Sequence, residues 1–183
     1  MTTRQWVKIT PERVELNGEM LATTAQGAAL LTEIYRARIN DYPKFFKMDE
    51  LSKLGFIASE LLLQAEGDRH QDSEDRAVIL FNRSGSVTND RKYQDTIQRP
   101  DDYFPSPALF VYTLPNIVTG EIAIRNGYYG ETSFYVLDAY DEAAIRATVE
   151  ASFLDGTTQS AICGWLDCDD PDHFEASVYL IEK

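Results

Sequence analysis

The stretch YTLPNIVTGEIAIRNGYYGETSFYVLDAYDEA, Tyr112 to Ala143, decides how the chain is read. Thr113-Leu114-Pro115 is a helix start, and Ile117, Val118, Ile122 and Ile124 form the apolar side of that helix. Asn126-Gly127 stops it, because glycine takes the left-handed backbone that a helix end uses. TSFYVL, Thr132 to Leu137, is next, an apolar run suited to a buried strand. Asp138 or Asp141 caps a second helix, with Ala144, Ile145, Val149 and Phe153 facing inward and Gly156 ending it. Helix, tight turn, strand and helix in succession point to a layered α/β domain.

Working outward from there, Gln5 to Thr10 alternates like a first strand, and RVELNGEML reads as a hairpin arm turning at Asn17-Gly18. Helical spacing begins at Thr24, with Ala28, Leu30, Leu31, Ile34 and Tyr35 as its stripe, and Pro43 ends it. Asp49 is an N-cap for a second helix striped by Leu51, Leu54, Ala58, Leu61 and Leu62. Glu66 to Arg76 is a charged connector, and Ala77 to Asn82 (AVILFN) a central buried strand. Arg83 to Pro105 is expected to be one long loop, functional or laid over an interface. Ser106-Pro107 then starts a short helix. Downstream, Ser160 to Leu166 and Ala176 to Glu182 are strands joined by the acidic turn DCDDPDHFE, residues 167–175, which makes them antiparallel. The order predicts one α/β domain over residues 1–183, its sheet mixed but mostly parallel with helices packed on it.

Thirty acidic against 17 basic residues give a net charge of −13, which repels phosphate backbones and anionic membranes. No apolar run approaches the ~20 residues of a membrane span, and the start MTTRQWVKIT lacks a secretory apolar core. Two cysteines make no disulfide framework of the secreted kind, so a cytoplasmic protein is expected.

Cys163 and Cys168 lie near Asp167, Asp169, Asp170, Asp172 and His173, a mixture that suits divalent ions. Zinc sites use tighter cysteine pairs and two of them, so we read a buried strand cysteine beside a solvated turn and expect no metal. Cys163 as a nucleophile would need His173 as its base, and its strand position argues for inertness. Ser84, Ser86 and Ser133 lack a G-x-S-x-G context. Ser84-Gly85-Ser86 follows a strand as phosphate loops do, yet carries no P-loop lysine; it reads as a turn, and no cofactor is expected. The pairs Tyr103-Phe104, Tyr128-Tyr129 and Phe134-Tyr135 read first as packing and second as the lining of an acyl pocket.

From Phe104 to Leu166 the sequence resembles the N-terminal half of the β-ketoacyl-(acyl-carrier-protein) synthases, members of the thiolase-like superfamily. PSPALFVYTLPNIVTGEIAIRNGYYGETSFYVL carries the resemblance, with MDELSKLGFIASELLL and AVILFNRSGS before it and FLDGTTQSAICGWLD after it. The resemblance implies a thiolase-like fold of two similar βαβαβαββ halves, of which this chain supplies one. It places the nucleophilic cysteine at a helix N-terminus that, counted from Gly130, falls on Ala139, between Asp138 and Tyr140. The family's catalytic histidines and lysine belong to the other half; His70 and His173 are the only histidines here.

What this implies is a catalytically inactive, ketosynthase-like accessory or partner subunit in fatty-acid or polyketide-type biosynthesis. Were the family's activity carried over, it would be that of a 3-oxoacyl-(acyl-carrier-protein) synthase. The strand before the nucleophile pairs across the family's dimer axis, which marks Thr132, Phe134, Tyr135 and Val136 as an interface in a homodimer or a heterodimer with an active ketosynthase. An acyl carrier protein is a partner disfavoured by the net charge. The alternatives are an acyl-binding module with an apolar pocket under residues 83–105, or an acyl-thioester hydrolase or transferase around Cys163, His173 and a perturbed carboxylate.

Overall fold

The computed structural model describes residues 1–67, 72–101 and 103–183; His70, within the charged connector, lies outside them. β1 (Thr2–Thr10) folds back into β2 (Arg13–Leu16), and β2 into the two-residue β3 (Glu19–Met20). Asn17 and Gly18, at φ 53° and 88°, make the second turn with the left-handed backbone such hairpins use. α1 (Ala28–Arg38) starts later than the expected Thr24. The Glu33 carboxylate accepts the backbone N–H groups of Thr24 and Ala25 at 3.0 and 2.7 Å, which ties the lead-in to the side of the helix. Pro43 opens a 3₁₀ helix (Pro43–Lys47), and Asp49 caps α2 (Glu50–Leu63) by accepting from Ser52 N–H at 3.0 Å.

β4 (Arg76–Asn82) leads through α3 (Val87–Asp95), α4 (Pro107–Val111) and α5 (Ile117–Asn126) to β5 (Thr132–Val136). α6 (Glu142–Ser152) and a 3₁₀ turn (Phe153–Asp155) return the chain to β6 (Ser160–Asp170) and β7 (His173–Glu182). The seven strands form one sheet in the order β3-β2-β1-β7-β6-β4-β5. The mixed α/β class is as expected, but the balance within the sheet is not. Among the strands of the described residues only β4 pairs in parallel, with β5 and β6; the other four pairings are antiparallel. A tight hairpin reverses the chain from β6 into β7, and β7 lies between β6 and β1, antiparallel to both.

Alternation along the strands sends side chains to two separate cores. α1, α2 and α5 cover one face, over Val7, Ile9, Val78, Leu80, Ile162 and Leu180. Among the described residues the other face is covered by α6, whose Ile145 and Val149, with Phe153, pack on Ile79, Phe81, Cys163 and Trp165.

Four expectations are corrected. Residues 83–105 are not one loop, for they contain α3. That helix has Asn89 as its only buried residue and is held by polar contacts: Asn89 Nδ2 to the Leu109 carbonyl at 2.5 Å, Thr88 Oγ1 to the Cys168 carbonyl at 3.0 Å, and Lys92 to Glu50 at 2.7 Å. Residues 167–175 are not a turn but ladder, pairing Asp167 with Glu175 and Cys168 with Phe174, so that only Pro171 and Asp172 turn. Ile124 points to solvent, because that helix meets the core through Val118, Ile122 and Ala123. The strand at Thr132 is not a buried interior one but the sheet's open edge, half exposed along its length.

Candidate functional site

β4 sends its connection over one face of the sheet, through α5, and its neighbour β5 sends its own over the other, through α6. Where adjacent strands part company in this way, their carboxyl ends leave a crevice that loops cannot fill. A cleft of about 530 Å³ lies there. Arg83 enters it directly after β4, Asp138, Ala139 and Tyr140 after β5, and Asp167 and Asp169 from the end of β6. Asp172, His173, Phe174 and Glu175 close it from β7 and its turn, and Pro11 and Glu12 from the β1–β2 turn.

Carboxylates dominate the lining. Arg83 is the cation among them, bridging Asp169 at 2.8 Å and Asp167 at 3.6 Å, while Ser84 Oγ donates to Asp167 at 2.9 Å. Trp165 Nε1–H donates to Glu175 at 3.1 Å and its ring meets Tyr140 edge-on at 5.8 Å, which gives the cleft an aromatic wall. At the rim the Asp170 carboxylate lies 2.7 Å from His173 Nδ1 and raises the pKa of that imidazole. Asp170 itself is held below the usual carboxylate range, first by the Asp172 backbone N–H and then by His173. Burial raises the pKa of the Tyr140 phenol, with Tyr179 and Glu142 adding to it. Such a field favours cationic or neutral occupants over anions.

Ala139, the position expected of a nucleophile, faces this cleft, but α6 begins only at Glu142, with Asp141 as its N-cap accepting from Ala144 N–H at 3.0 Å. Ala139 therefore sits in the loop ahead of the helix rather than at its first turn. Among the described residues that line the cleft there is no cysteine, serine, threonine or lysine.

The structure separates the other candidates. Cys163 is fully buried under α6 on the floor of a second cavity of about 180 Å³, beside Ile145, Val149, Tyr179 and Ile181. It pairs with Tyr179, whereas His173 pairs with Asp170 at the far end of the same ladder, on the order of 20 Å away at the rise of a strand. Cys163 and His173 do not form a nucleophile and base. Cys168 belongs to the core of the opposite face. Burial pushes both thiols up to about 12. Among the described residues no group of three His, Cys, Asp or Glu side chains is disposed to hold a metal ion. The Ser84-Gly85-Ser86 segment is a turn, closed by Asn82, whose side chain bonds both the N–H and the carbonyl of Gly85 at 2.9 and 2.8 Å. Thr132, Phe134, Tyr135 and Val136 all fall on the free edge strand. Sequence reasoning did not find Arg83 or Trp165; the available signal was the place of Arg83 at the end of an apolar strand.

No protein-family model matches the chain, and no curated protein does. Solved structures do. A chain of the ishigamide ketosynthase/chain length factor superposes with a TM-score of 0.69 at 16% identity, over 99% of this chain and 61% of that one. A chain from the ketosynthase ApeO in complex with its chain length factor ApeC, from Xenorhabdus doucetiae, gives 0.63 at 14% identity, over 100% and 79%. A chain from a type II PKS acyl-carrier protein in complex with its ketosynthase bound to the hexaketide gives 0.65 at 13% identity, over 99% and 62%. The chain thus spans about three fifths of the ishigamide chain it matches. At these identities the likeness concerns architecture, and the architecture is that of the ketosynthase-like, thiolase-like fold.

Proposed function

We propose that the chain is a catalytically silent, ketosynthase-like partner subunit of the cytoplasm, working in acyl-chain biosynthesis of the polyketide or fatty-acid type. In this reading it forms a single domain, one half of the thiolase-like fold, and pairs with an active ketosynthase. The observation that carries the reading is the coincidence of two features at β5. Its carboxyl end delivers Asp138, Ala139 and Tyr140 to the cleft where a nucleophile is expected, and its free edge presents Thr132, Tyr135 and Val136 to solvent. An exposed edge with apolar side chains is a template for a partner strand. One solved chain it resembles comes from a ketosynthase in complex with its chain length factor. The acidic cleft supports the same reading, because a site ringed by carboxylates is poorly suited to the anionic carrier arm and carboxylated extender that condensation handles.

The test is co-expression of the tagged full chain with each ketosynthase encoded in the same genome, followed by light-scattering mass. A one-to-one complex supports the proposal. Condensation activity in the purified chain alone, or a chain that binds none of those ketosynthases, refutes it.

A further inference from the structure

We propose that the surface from Tyr103 to Leu114, built around α4, forms the larger part of the interface with the ketosynthase partner, with β5 as its smaller part. The inference rests on the partner-subunit reading and goes beyond the strand that the family resemblance marks.

α4 consists of Pro-Ala-Leu-Phe-Val, and not one of these residues is buried. Around it Phe104 is 77% exposed, Tyr103 60%, Phe110 50%, Leu114 47% and Val111 44%, a concentration of large apolar side chains in one short segment. Patches of this kind mark protein-binding surfaces. The segment is nevertheless firmly built. Ser106 caps α4 by accepting from Leu109 N–H at 3.3 Å, Phe104 N–H donates to the Thr96 carbonyl at 3.2 Å, and the rings of Tyr93 and Phe110 meet at 5.5 Å. The buried Asn89 side chain of α3 holds the Leu109 carbonyl from beneath. A helix so anchored with its apolar residues turned outward is a preformed contact face.

Charge selects the same segment. The chain carries −13, yet no charged residue occurs between Asp102 and Glu121. A large partner can approach this part of the surface without crowding carboxylates.

Area supplies the third argument. A stable interface covers roughly 800 Å² per partner and uses about 20–30 residues a side. β5 has five residues, so it supplies about a quarter at most, and further surface has to come from its surroundings. α4 runs into α5 through residues 112–116, and α5 packs against β5, so a single helix links the platform to the edge strand. The fitting partner face is apolar and weakly charged, on a chain that also offers an open edge strand.

The experiment compares complex formation by the wild-type chain, Phe104→Asp, Val111→Asp and a control, Leu154→Asp, with the co-expressed ketosynthase. Leu154 is 85% exposed and follows α6 on the other face of the sheet. The platform residues are solvated, so thermal unfolding of all variants should match wild type, and this is measured alongside. We expect Kd to rise at least tenfold for each platform variant and to stay within twofold for Leu154→Asp. Unchanged affinity in both platform variants overturns the interface while leaving the partner reading intact. A wild-type chain that binds no ketosynthase, or only itself, overturns both, and is distinguished by appearing before any substitution is made.

Discussion

Gly164 sits in the middle of β6, opposite Leu80 of β4 and Val178 of β7, at φ 145°. A β-carbon there would lie well inside contact distance of the Ser177 carbonyl oxygen and 2.9 Å from the Val178 Cα, both fixed backbone atoms of the neighbouring strand. Gly164→Ala therefore combines two costs: a side chain in a glycine-favouring backbone, about 1–3 kcal/mol, and overpacking that only displacement of β7 can relieve, again about 1–3 kcal/mol. Together they come to about 4 kcal/mol, a large part of the ~5–15 kcal/mol that holds a domain folded. Gly18→Ala is the matched control. Its φ of 88° is also left-handed, but nothing lies within 4 Å of the added carbon, so only the backbone cost of about 1 kcal/mol applies. With a urea slope of about 2 kcal/mol/M, Gly164→Ala should lower the unfolding midpoint by about 2 M and Gly18→Ala by about 0.5 M. Equal shifts in the two variants would refute the close approach of β6 and β7 on which the sheet's centre is built.

Two further outcomes are expected. Thiol titration of the folded protein with a disulfide reagent should find no fast-reacting cysteine and two after unfolding in urea, since Cys163 and Cys168 are both buried and pushed up to about 12. A fast native thiol would contradict the packing under α6 or at the end of β6. The His173 imidazole should titrate above its ordinary 6.5 by NMR and fall back toward it in Asp170→Asn. Because the folded value is raised, the stability this pair contributes is complete below about 6.5 and fades as pH rises through the folded midpoint. An unshifted midpoint in the wild type would remove the pair.

Much of the fold was legible because its signals are local. Asp49, Asn17-Gly18, Ser106-Pro107 and Asn126-Gly127 each act within a few residues of themselves, and the structure uses all of them as turns or caps. α3 was hidden because its buried residue is an asparagine and its contacts are polar, so no apolar stripe announces it. The extension of β6 and β7 was hidden for a related reason: Cys168 and Phe174 are the apolar residues that face inward among acids, and a shift in register at Cys168 interrupts their alternation. Least legible was the cleft. It depends on the ends of β4, β5 and β6 meeting the β1–β2 and β6–β7 turns, with Arg83 and Asp169 paired across 86 positions of sequence. No local pattern encodes such a meeting; strand order does. The same holds for β5, whose composition suits an interior strand and whose place at the edge follows from the path of its neighbours.

β7, the last strand in the chain, lies between β1, the first, and β6. The β1–β2 hairpin thus has no place in the sheet until β7 is present, and the ladder that holds it there joins residues 2–9 to residues 176–182. Contacts so distant in sequence close slowly. Until β7 has emerged, β1 is paired on one side alone, by β2, and its other edge stays open. Loss of residues 173–183 would not trim an edge but divide the sheet into two separate ribbons, β3-β2-β1 and β6-β4-β5.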